Sequence, residues 1–395
     1  MTMAIASAAP PSPPPLTALG AGLPTPLALG AGPALGAGLP TPPPLRSVHT
    51  PSMHAILDQL GISLWVTTYQ AGKLVIARAE AGGVNTHFRS FPKPMGLALD
   101  GDRLAIGTAT EIWEFHNLPA VAQKLEPPER HDACFLPRTA HATGDVQIHE
   151  MAWCEGELWF VNTRFSCLCT RSDRYSFVPR WRPHFISSLG PEDRCHLNGL
   201  GLVDGRPRYA TALGETDTPG GWRANKKDGG ILLDVPANEI IARGLSMPHS
   251  PRWYDGRLWL LESGNGGIGV VDPSSGRYES VAELPGFTRG LDFCGRLAFI
   301  GLSQVRESAV FSGLAITERP AERACGVWVL NIDSGQTVAF LKFEEAVQEI
   351  FAVQVMPGRR WPELLNDDPK LLADSFVLPD EALADVPSPY RRLAR

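Results

Sequence analysis

The feature that most constrains the fold is a phrase that recurs along the chain. Each copy contains a short apolar strand, a turn with glycine, a second apolar strand and a polar exit, and the clearest copy runs from Ile148 to Thr163. The turn glycines of the five copies are Gly101, Gly156, Gly205, Gly256 and Gly295. Subtracting each position from the next gives separations of 55, 49, 51 and 39 residues. These values are close to the roughly 40–50 residues of a four-stranded propeller blade.

Strand-like runs at the two ends of the repeats supply a sixth unit. The run from Glu349 to Val355 has the character of a first strand, but no further strands follow it. Three β-rich runs between residues 64 and 91 precede the first phased copy. Joining N-terminal strands to a C-terminal strand closes a ring and removes exposed sheet edges. The sequence therefore predicts an all-β, six-bladed β-propeller whose last blade is closed by N-terminal strands.

Composition divides the chain into three parts. Residues 1–48 consist mainly of Pro, Gly, Ala and Leu, and prolines at this density disfavour both helix and sheet. We predict a disordered low-complexity tail there, because such a segment buries too little surface to offset its loss of entropy. Residues 49–358 form the predicted propeller. Residues 359–395, rich in proline and charge, are predicted to be a C-terminal tail.

Charge and cysteine content narrow the class of protein. The net charge of −6 argues against a nucleic-acid partner, which usually requires a basic face. No apolar run approaches the roughly 18 residues that cross a membrane, so we expect no membrane partner. Seven irregularly spaced cysteines are typical of a reducing compartment, and the N-terminus does not resemble a signal peptide. The sequence predicts a cytoplasmic protein.

Several short sequence motifs resemble those of a known family. They are Leu64–Lys73, His149–Trp153, His196–Gly201, Met247–Trp253 and Pro285–Gly290. Together they resemble an uncharacterised bacterial family, a domain of unknown function, over about residues 50–358. That resemblance implies family membership and no reaction. At the level of fold, the chain is similar to six-bladed propellers of the gluconolactonase and strictosidine-synthase-like groups.

The repeat phase also predicts a site. The first strand of each propeller blade lines the central channel, so equivalent residues of different blades meet at its mouth. Seven positions before the turn glycines lie His149, Asn198 and His249, and six positions before them lie Glu150 and Arg289. His149, Asn198 and His249 are predicted to bind a divalent metal (Zn²⁺, Mn²⁺ or Fe²⁺), with Glu150 as the catalytic base on metal-bound water.

Other residues are predicted to bind the substrate. Arg289 is suited to a carboxylate or phosphate, and His196 shares a strand face with Asn198. Arg164 and Trp222 lie on loops expected to rise around the channel mouth. The alternative interpretation is that these polar side chains only hold structural water or neighbouring blades.

Three hypotheses for function stay open. The first is a metal-dependent hydrolase acting on a small anionic substrate. The second is a non-catalytic module that binds a peptide, sugar or metabolite. The third assigns soft-metal or redox chemistry to Cys167 and Cys169, which alternate onto one face of a strand.

Overall fold

The computed structural model describes residues 44–305, 312–319 and 322–388. In chain order, the strands are β1 (Leu45–His49), β2 (Ile62–Thr68), β3 (Lys73–Glu80), β4 (Gly83–Ser90), β5 (Leu97–Asp100), β6 (Arg103–Gly107), β7 (Glu111–Asn117), β8 (Ala133–Ala142), β9 (Ile148–Cys154), β10 (Glu157–Asn162), β11 (Cys167–Thr170), β12 (Val178–Trp181), β13 (Leu197–Val203), β14 (Arg206–Ala212), β15 (Gly230–Asp234), β16 (Glu239–Leu245), β17 (Pro248–Tyr254), β18 (Arg257–Glu262), β19 (Gly267–Val271), β20 (Tyr278–Glu283), β21 (Phe287–Cys294), β22 (Leu297–Ser303), β23 (Cys325–Asn331), β24 (Thr337–Glu345), β25 (Ala352–Pro357) and β26 (Pro362–Leu364).

Short helices connect or flank these strands. They are α1 (Pro51–Leu60), α2 (Pro119–Ala122), α3 (Ala315–Glu318), α4 (Pro369–Ala373) and α5 (Asp380–Leu383), with 3₁₀ turns at Gly221–Asn225 and Ser263–Asn265. Helix α1 begins at a proline, ends at Gly61 in the left-handed conformation, and buries Met53 and Leu57 against the core. None of the helices in the described part of the chain has the length and apolar character needed to cross a membrane.

The strands form six sheets, which are the blades of a propeller. Four blades use strands that are consecutive in the chain, in the orders β5–β8, β9–β12, β13–β16 and β17–β20. The fifth contains β21–β24, and the sixth has the order β25-β2-β3-β4. The inner strands of neighbouring blades contact one another around the ring, including β25 with β5. The predicted six-bladed fold is confirmed.

The sixth blade joins the two ends of the repeat region. Its innermost strand, β25, pairs antiparallel with β2, so that Leu64 faces Val355 and Thr67 faces Ala352. The side chains of Leu64, Val66 and Val353 share one buried cluster with strands of the fifth blade. The predicted closure by N-terminal strands is confirmed, and it leaves no inner strand without a neighbour on either side.

Two further strands lie outside the range predicted for the propeller. Strand β1 adds antiparallel to β24, and β26 adds parallel to β8. Sheet structure therefore begins before residue 49 and continues after residue 358. Proline density and charge marked these segments as tails, whereas hydrogen bonding to an open outer edge draws short pieces of each into the sheets. Residues 1–43 lie outside the described residues, so their predicted disorder stays a prediction.

An ion-pair network holds β26 in place. The Glu363 carboxylate is buried and accepts hydrogen bonds from the Arg89 guanidinium, while Arg78 donates to the Pro362 carbonyl. Burial alone raises the pKa of Glu363, but the neighbouring His87 and Arg89 outweigh it and hold that pKa at about 2. The C-terminal strand is thus attached by buried charge as well as by its backbone.

The phased glycines occupy the turns that set the blade geometry. All five have positive φ, between 56° and 85°, and a side chain at any of them meets no neighbouring atom. The backbone conformation, rather than lack of space, therefore requires glycine at these turns.

Hydroxyl groups near the ends of second strands connect one blade to the next. In four blades such a group donates to a backbone carbonyl of the following blade, at donor–acceptor distances of 2.5–3.2 Å. The pairs are Thr67 with Met95, Thr163 with Leu197, Ser263 with Thr288, and Ser303 with Ile350. These bonds fix the positions of the inner strands at the mouth of the channel.

Glycines inside the inner strands allow the blades to approach closely, and we expect Gly201→Ala to destabilise the fold. A β-carbon at Gly201 would lie 2.7 Å from the backbone oxygen of Pro251 in the next blade. Overpacking of this kind costs about 1–3 kcal/mol in unfolding free energy. As a control, Gly205→Asn in an open turn is expected to cost less than about 1 kcal/mol, since asparagine tolerates the left-handed conformation. Urea unfolding of both variants checks this ranking, and equal losses would contradict it.

Candidate functional site

A repeated backbone turn directs side chains into the channel mouth. Gln147, His196 and Met247 all have positive φ, between 48° and 54°. Each lies two residues before a polar side chain at the start of an inner strand, namely His149, Asn198 or His249. Residues two positions apart in a strand share one face, and Gln147 with His149, and Met247 with His249, accordingly line the same pocket.

His149 and His249 are held in equivalent ways. The Nδ1 of His149 lies 2.9 Å from the Gln147 carbonyl oxygen and 2.7 Å from the Thr163 hydroxyl. The Nδ1 of His249 lies 2.9 Å from both the Met247 carbonyl oxygen and the Ser263 hydroxyl. A carbonyl oxygen only accepts, so the hydrogen-bond network assigns the proton of each neutral ring to Nδ1. The Nε2 lone pair of each ring is then left for a ligand.

Both imidazoles are neutral near pH 7. Burial strongly disfavours the charged ring and, with the nearby Arg289 cation, lowers the pKa of His149 and His249 well below the usual value. These two side chains therefore present hydrogen-bond acceptors, and not cations, to the channel mouth.

His196 is oriented by a buried carboxylate. Its Nδ1 lies 2.9 Å from Asp193 Oδ1, and Asp193 Oδ2 accepts from the Trp222 indole nitrogen at 3.0 Å and from Arg223 at 3.3 Å. The His196 ring is perpendicular to that of His149, with the ring centres 5.0 Å apart. It also packs against the Trp222 ring, with the centres 4.5 Å apart.

Arg289 provides a cation without a carboxylate partner. Its guanidinium carbon lies 3.7 Å from the centre of the Phe351 ring and 5.9 Å from that of Tyr69. Among the described residues, no side chain forms an ion pair or hydrogen bond with it. Burial lowers the pKa of Arg289 from its ordinary value, because a desolvated charge is costly. Burial also raises the pKa of Tyr69 to about 12, so the phenol keeps its proton.

These groups line one pocket at the mouth of the channel, with a volume of about 230 Å³. The lining residues are Tyr69, Lys93, Met95, Gln147, His149, His196, Leu213, Trp222, Met247, His249, Phe287, Arg289 and Phe351. The described lining contains two cationic side chains and no carboxylate. Its electrostatic character therefore favours an anion, and its walls are largely aromatic or apolar.

Comparison with known proteins places the chain in a family. A family model described as a domain of unknown function (DUF4915) matches residues 51–365. The chain belongs to this family. The match covers every blade, so the pocket lies wholly within the DUF4915 region. None of the curated proteins matches the sequence.

Several solved structures are similar to this DUF4915 chain. A chain in the nidogen/laminin complex is similar with a TM-score of 0.50 and 11% identity, over 75% of this chain and 99% of that chain. A protein of unknown function from Bacteroides caccae gives 0.48 at 9% identity, covering 75% and 98%. Virginiamycin B lyase from Staphylococcus aureus gives 0.37 at 10% identity, covering 71% and 76%. At such identities the similarity concerns the fold alone.

The sequence of this DUF4915 chain predicted eight site residues, and the structure brings five of their side chains together. His149, His196, Trp222, His249 and Arg289 line the pocket. Arg164 is instead exposed and pairs with Asp145, 3.0 Å away, outside the pocket lining. The loop that carries Arg164 follows a second strand as expected, but its side chain turns towards Asp145.

Asn198 and Glu150 are engaged within the propeller. The Asn198 amide accepts from Thr211 at 2.6 Å and donates to the Pro248 carbonyl at 3.0 Å. Like His149 and His249, Asn198 contacts a hydroxyl group near the end of a second strand. Both polar atoms of its amide are engaged in these two bonds, so neither is left to face the pocket. Glu150 accepts from the Leu200 amide at 2.7 Å and pairs with Arg252 through both oxygens, at 3.0 and 3.1 Å.

These contacts bear on the predicted metal site. Within the described residues, no three His, Cys, Asp or Glu side chains are placed to hold a metal ion together. The predicted set of His149, Asn198 and His249 also lacks its amide ligand. Of the predicted ligand set, the two imidazoles line the pocket with Nδ1 engaged by the protein.

Cys167 and Cys169 lie on one strand face, as predicted, but in the core. Their sulfur atoms are 3.4 Å apart, and both side chains are fully buried. Burial strongly raises the pKa of Cys169. Since the thiolate is the reactive and metal-binding form, this environment favours packing over redox or soft-metal chemistry.

Two groups of pocket residues were not found from the sequence. Tyr69 and Phe351 belong to the sixth blade, which has no turn glycine in phase with the other five. Asp193 precedes its blade and contacts the site through His196 and Trp222. A signal for Gln147 and Met247 was present, since each lies at the same distance before a turn glycine as His196 does.

Proposed function

We propose that this protein binds a small organic anion in the pocket at the channel mouth, with Arg289 as the anchor for a carboxylate. The unpaired guanidinium of Arg289 carries the proposal. A partly buried arginine without a hydrogen-bonded carboxylate is unfavourable, and a carboxylate ligand offsets this through two parallel, charge-assisted hydrogen bonds. The Phe351 face, 3.7 Å away, holds the guanidinium without neutralising it.

The neighbouring imidazoles define the rest of the ligand. His149 and His249 are neutral with Nδ1 protonated, so that Nε2 accepts hydrogen bonds. A ligand that pairs with them carries hydroxyl or other donor groups beside its carboxylate. The volume of about 230 Å³ suits a molecule smaller than most drug-sized ligands. The ligand class is therefore a small hydroxycarboxylate.

This proposal keeps the small anionic ligand of the sequence-based hypotheses and removes the metal from its recognition. Two of the residues expected to support metal-dependent hydrolysis, Asn198 and Glu150, have their polar atoms engaged in the propeller. Direct binding by Arg289 requires neither of them. The two models differ in the effect of a chelator, which changes affinity only if a metal mediates binding.

Calorimetric titration with succinate, malate and tartrate tests the proposal. These dicarboxylates carry no, one and two hydroxyl groups, and each hydroxyl that meets an imidazole should add about 1 kcal/mol, or about fivefold in affinity. We expect tartrate to bind most tightly and succinate least. Binding should persist after treatment with EDTA.

Arg289→Gln provides the decisive comparison. Loss of a charged hydrogen-bond partner of about 2–3 kcal/mol should weaken binding of malate and tartrate about 30- to 150-fold. The variant should unfold at the same or higher denaturant concentration, because it removes a desolvated charge. Arg164→Gln serves as the matched control and should bind like the unmodified protein, since Arg164 lies outside the pocket lining. Equal affinity in Arg289→Gln, or binding that EDTA abolishes, would overturn the proposal.

A further inference from the structure

His196 has features that anion binding does not require. Its Nδ1 is 2.9 Å from a carboxylate oxygen of Asp193, which is itself 8% exposed. The second Asp193 oxygen accepts from the Trp222 indole at 3.0 Å and from Arg223 at 3.3 Å. With both oxygens held, Asp193 fixes the orientation and the tautomer of the His196 ring.

The other nitrogen of His196 is available to the pocket. No described side chain forms a hydrogen bond with its Nε2, and the ring lines the cavity. The His149 ring stands perpendicular to it at 5.0 Å between centres, with Nδ1 engaged by the protein. A water molecule in the pocket can donate a hydrogen bond to the His196 Nε2. Its oxygen lone pairs then face the ligand volume.

We propose that the pocket is hydrolytic, with His196 as the general base and Asp193 as its positioning residue, and that its substrates are small esters bearing a free carboxylate. This inference rests on the proposed function, because Arg289 is assigned to the carboxylate of the same substrate. The ester carbonyl then lies between Arg289 and the imidazole-bound water. Fixing a substrate in this way supplies proximity as well as recognition.

The reaction consumes one water molecule and needs no other reactant. The His196 Nε2 takes a proton from the water while the water oxygen bonds to the ester carbonyl carbon. The bond between that carbon and the alcohol oxygen breaks, and the departing oxygen receives the proton from the imidazolium. The products are the carboxylic acid and the alcohol. General-base catalysis of this type contributes about 10²–10⁴-fold to a rate.

The test uses mono(4-nitrophenyl) succinate as the ester, with release of nitrophenolate as the measured rate. 4-Nitrophenyl acetate, which lacks the carboxylate, is the matched substrate and should react far more slowly at the same concentration. His196→Gln should lower kcat about 10²–10⁴-fold. Asp193→Asn should also lower kcat at least tenfold while KM stays within about threefold, because the amide favours the wrong imidazole tautomer. Arg164→Gln should leave both constants unchanged.

Parallel calorimetry with malate separates this inference from the proposed function. Both His196→Gln and Asp193→Asn should still bind malate within about fivefold and unfold cooperatively in urea, which shows that they are folded. Binding of malate without any hydrolysis of the succinate ester overturns the inference and leaves the proposed function standing. Hydrolysis that His196→Gln does not slow also overturns it. Absence of malate binding by the unmodified protein overturns both.

Discussion

Replacing Arg252 with methionine is expected to lower the free energy of unfolding by about 2–4 kcal/mol. The Arg252 side chain donates to the Leu291 carbonyl at 3.1 Å and to the Leu200 carbonyl at 3.2 Å, and it pairs with both oxygens of Glu150. One side chain on β17 thereby connects the inner strands of four blades. Removal of one member of a buried pair costs about 3–5 kcal/mol, and the 23% exposure of Arg252 reduces this value.

The cause of the loss is the charge left behind. The Glu150 side chain is 14% exposed in the intact protein, and without Arg252 its carboxylate keeps only the hydrogen bond from the Leu200 amide. Adding Glu150→Gln to Arg252→Met should therefore recover part of the lost stability. The desolvation free energy of an unpaired amide in this environment is smaller than that of an unpaired anion. Denaturant midpoints of the two single variants and the double variant measure this coupling.

An exposed pair supplies the control for Arg252→Met. Arg206 pairs with Glu155 at the surface, where the two side chains are 72% and 65% exposed. Arg206→Met should change the unfolding free energy by less than about 1 kcal/mol. If Arg252→Met has an effect as small as that, the connection between four inner strands does not contribute to stability.

Acidification below about pH 6.5 is expected to destabilise the propeller through His149 and His249. Burial holds the pKa of both rings well below the value of an unfolded chain. As pH falls through the unfolded value of about 6.5, the unfolded chain therefore binds protons that the folded protein does not. Stability is full above that pH and is lost as pH falls towards the folded pKa values. Two such groups give a slope of about 2.7 kcal/mol per pH unit.

Asparagine variants isolate this effect from other titrating groups. His116 and His131 also have lowered pKa values, caused first by burial, and contribute to acid sensitivity in the same direction. In a His149→Asn, His249→Asn double variant, the amide nitrogen can replace Nδ1 as donor to the backbone without titrating. Urea unfolding between pH 7.5 and 4.5 should show a shallower loss of stability in the variant. Parallel curves for the two proteins would mean that these imidazoles do not titrate with folding.

Much of the architecture followed from local pattern. The Gly156 and Gly205 turns adopt positive φ in the structure, so their spacing reports the blade repeat directly. Alternation of apolar and polar residues on either side of such turns specifies strands, because side chains of a strand have a period of two. The sixth blade could be inferred by elimination, since β25 alone makes no sheet and β2, β3 and β4 belong to none of the five phased copies.

The site followed from the same pattern only in part. The repeat phase correctly placed His149 and His249 together in the pocket. It placed Asn198 there as well, although both polar atoms of that short amide are hydrogen-bonded to Thr211 and Pro248. Glu150 is adjacent to His149 in sequence, yet it contacts Leu200 and Arg252 and not the pocket. Whether a side chain reaches the pocket or a neighbouring blade depends on its length and on the position of that blade.

The sequence by itself determined the number of blades, their phase and the strands that close the ring, because these depend on short-range periodicity and on turn conformations available to glycine. Only the tertiary structure decided that Tyr69 and Phe351 join Arg289, and that Asp193 orients His196. Those contacts join residues from separate blades or from the segments between them, and no local period relates their positions. Burial and hydrogen bonding in the closed ring then determine which groups are charged, and hence which ligand the pocket favours.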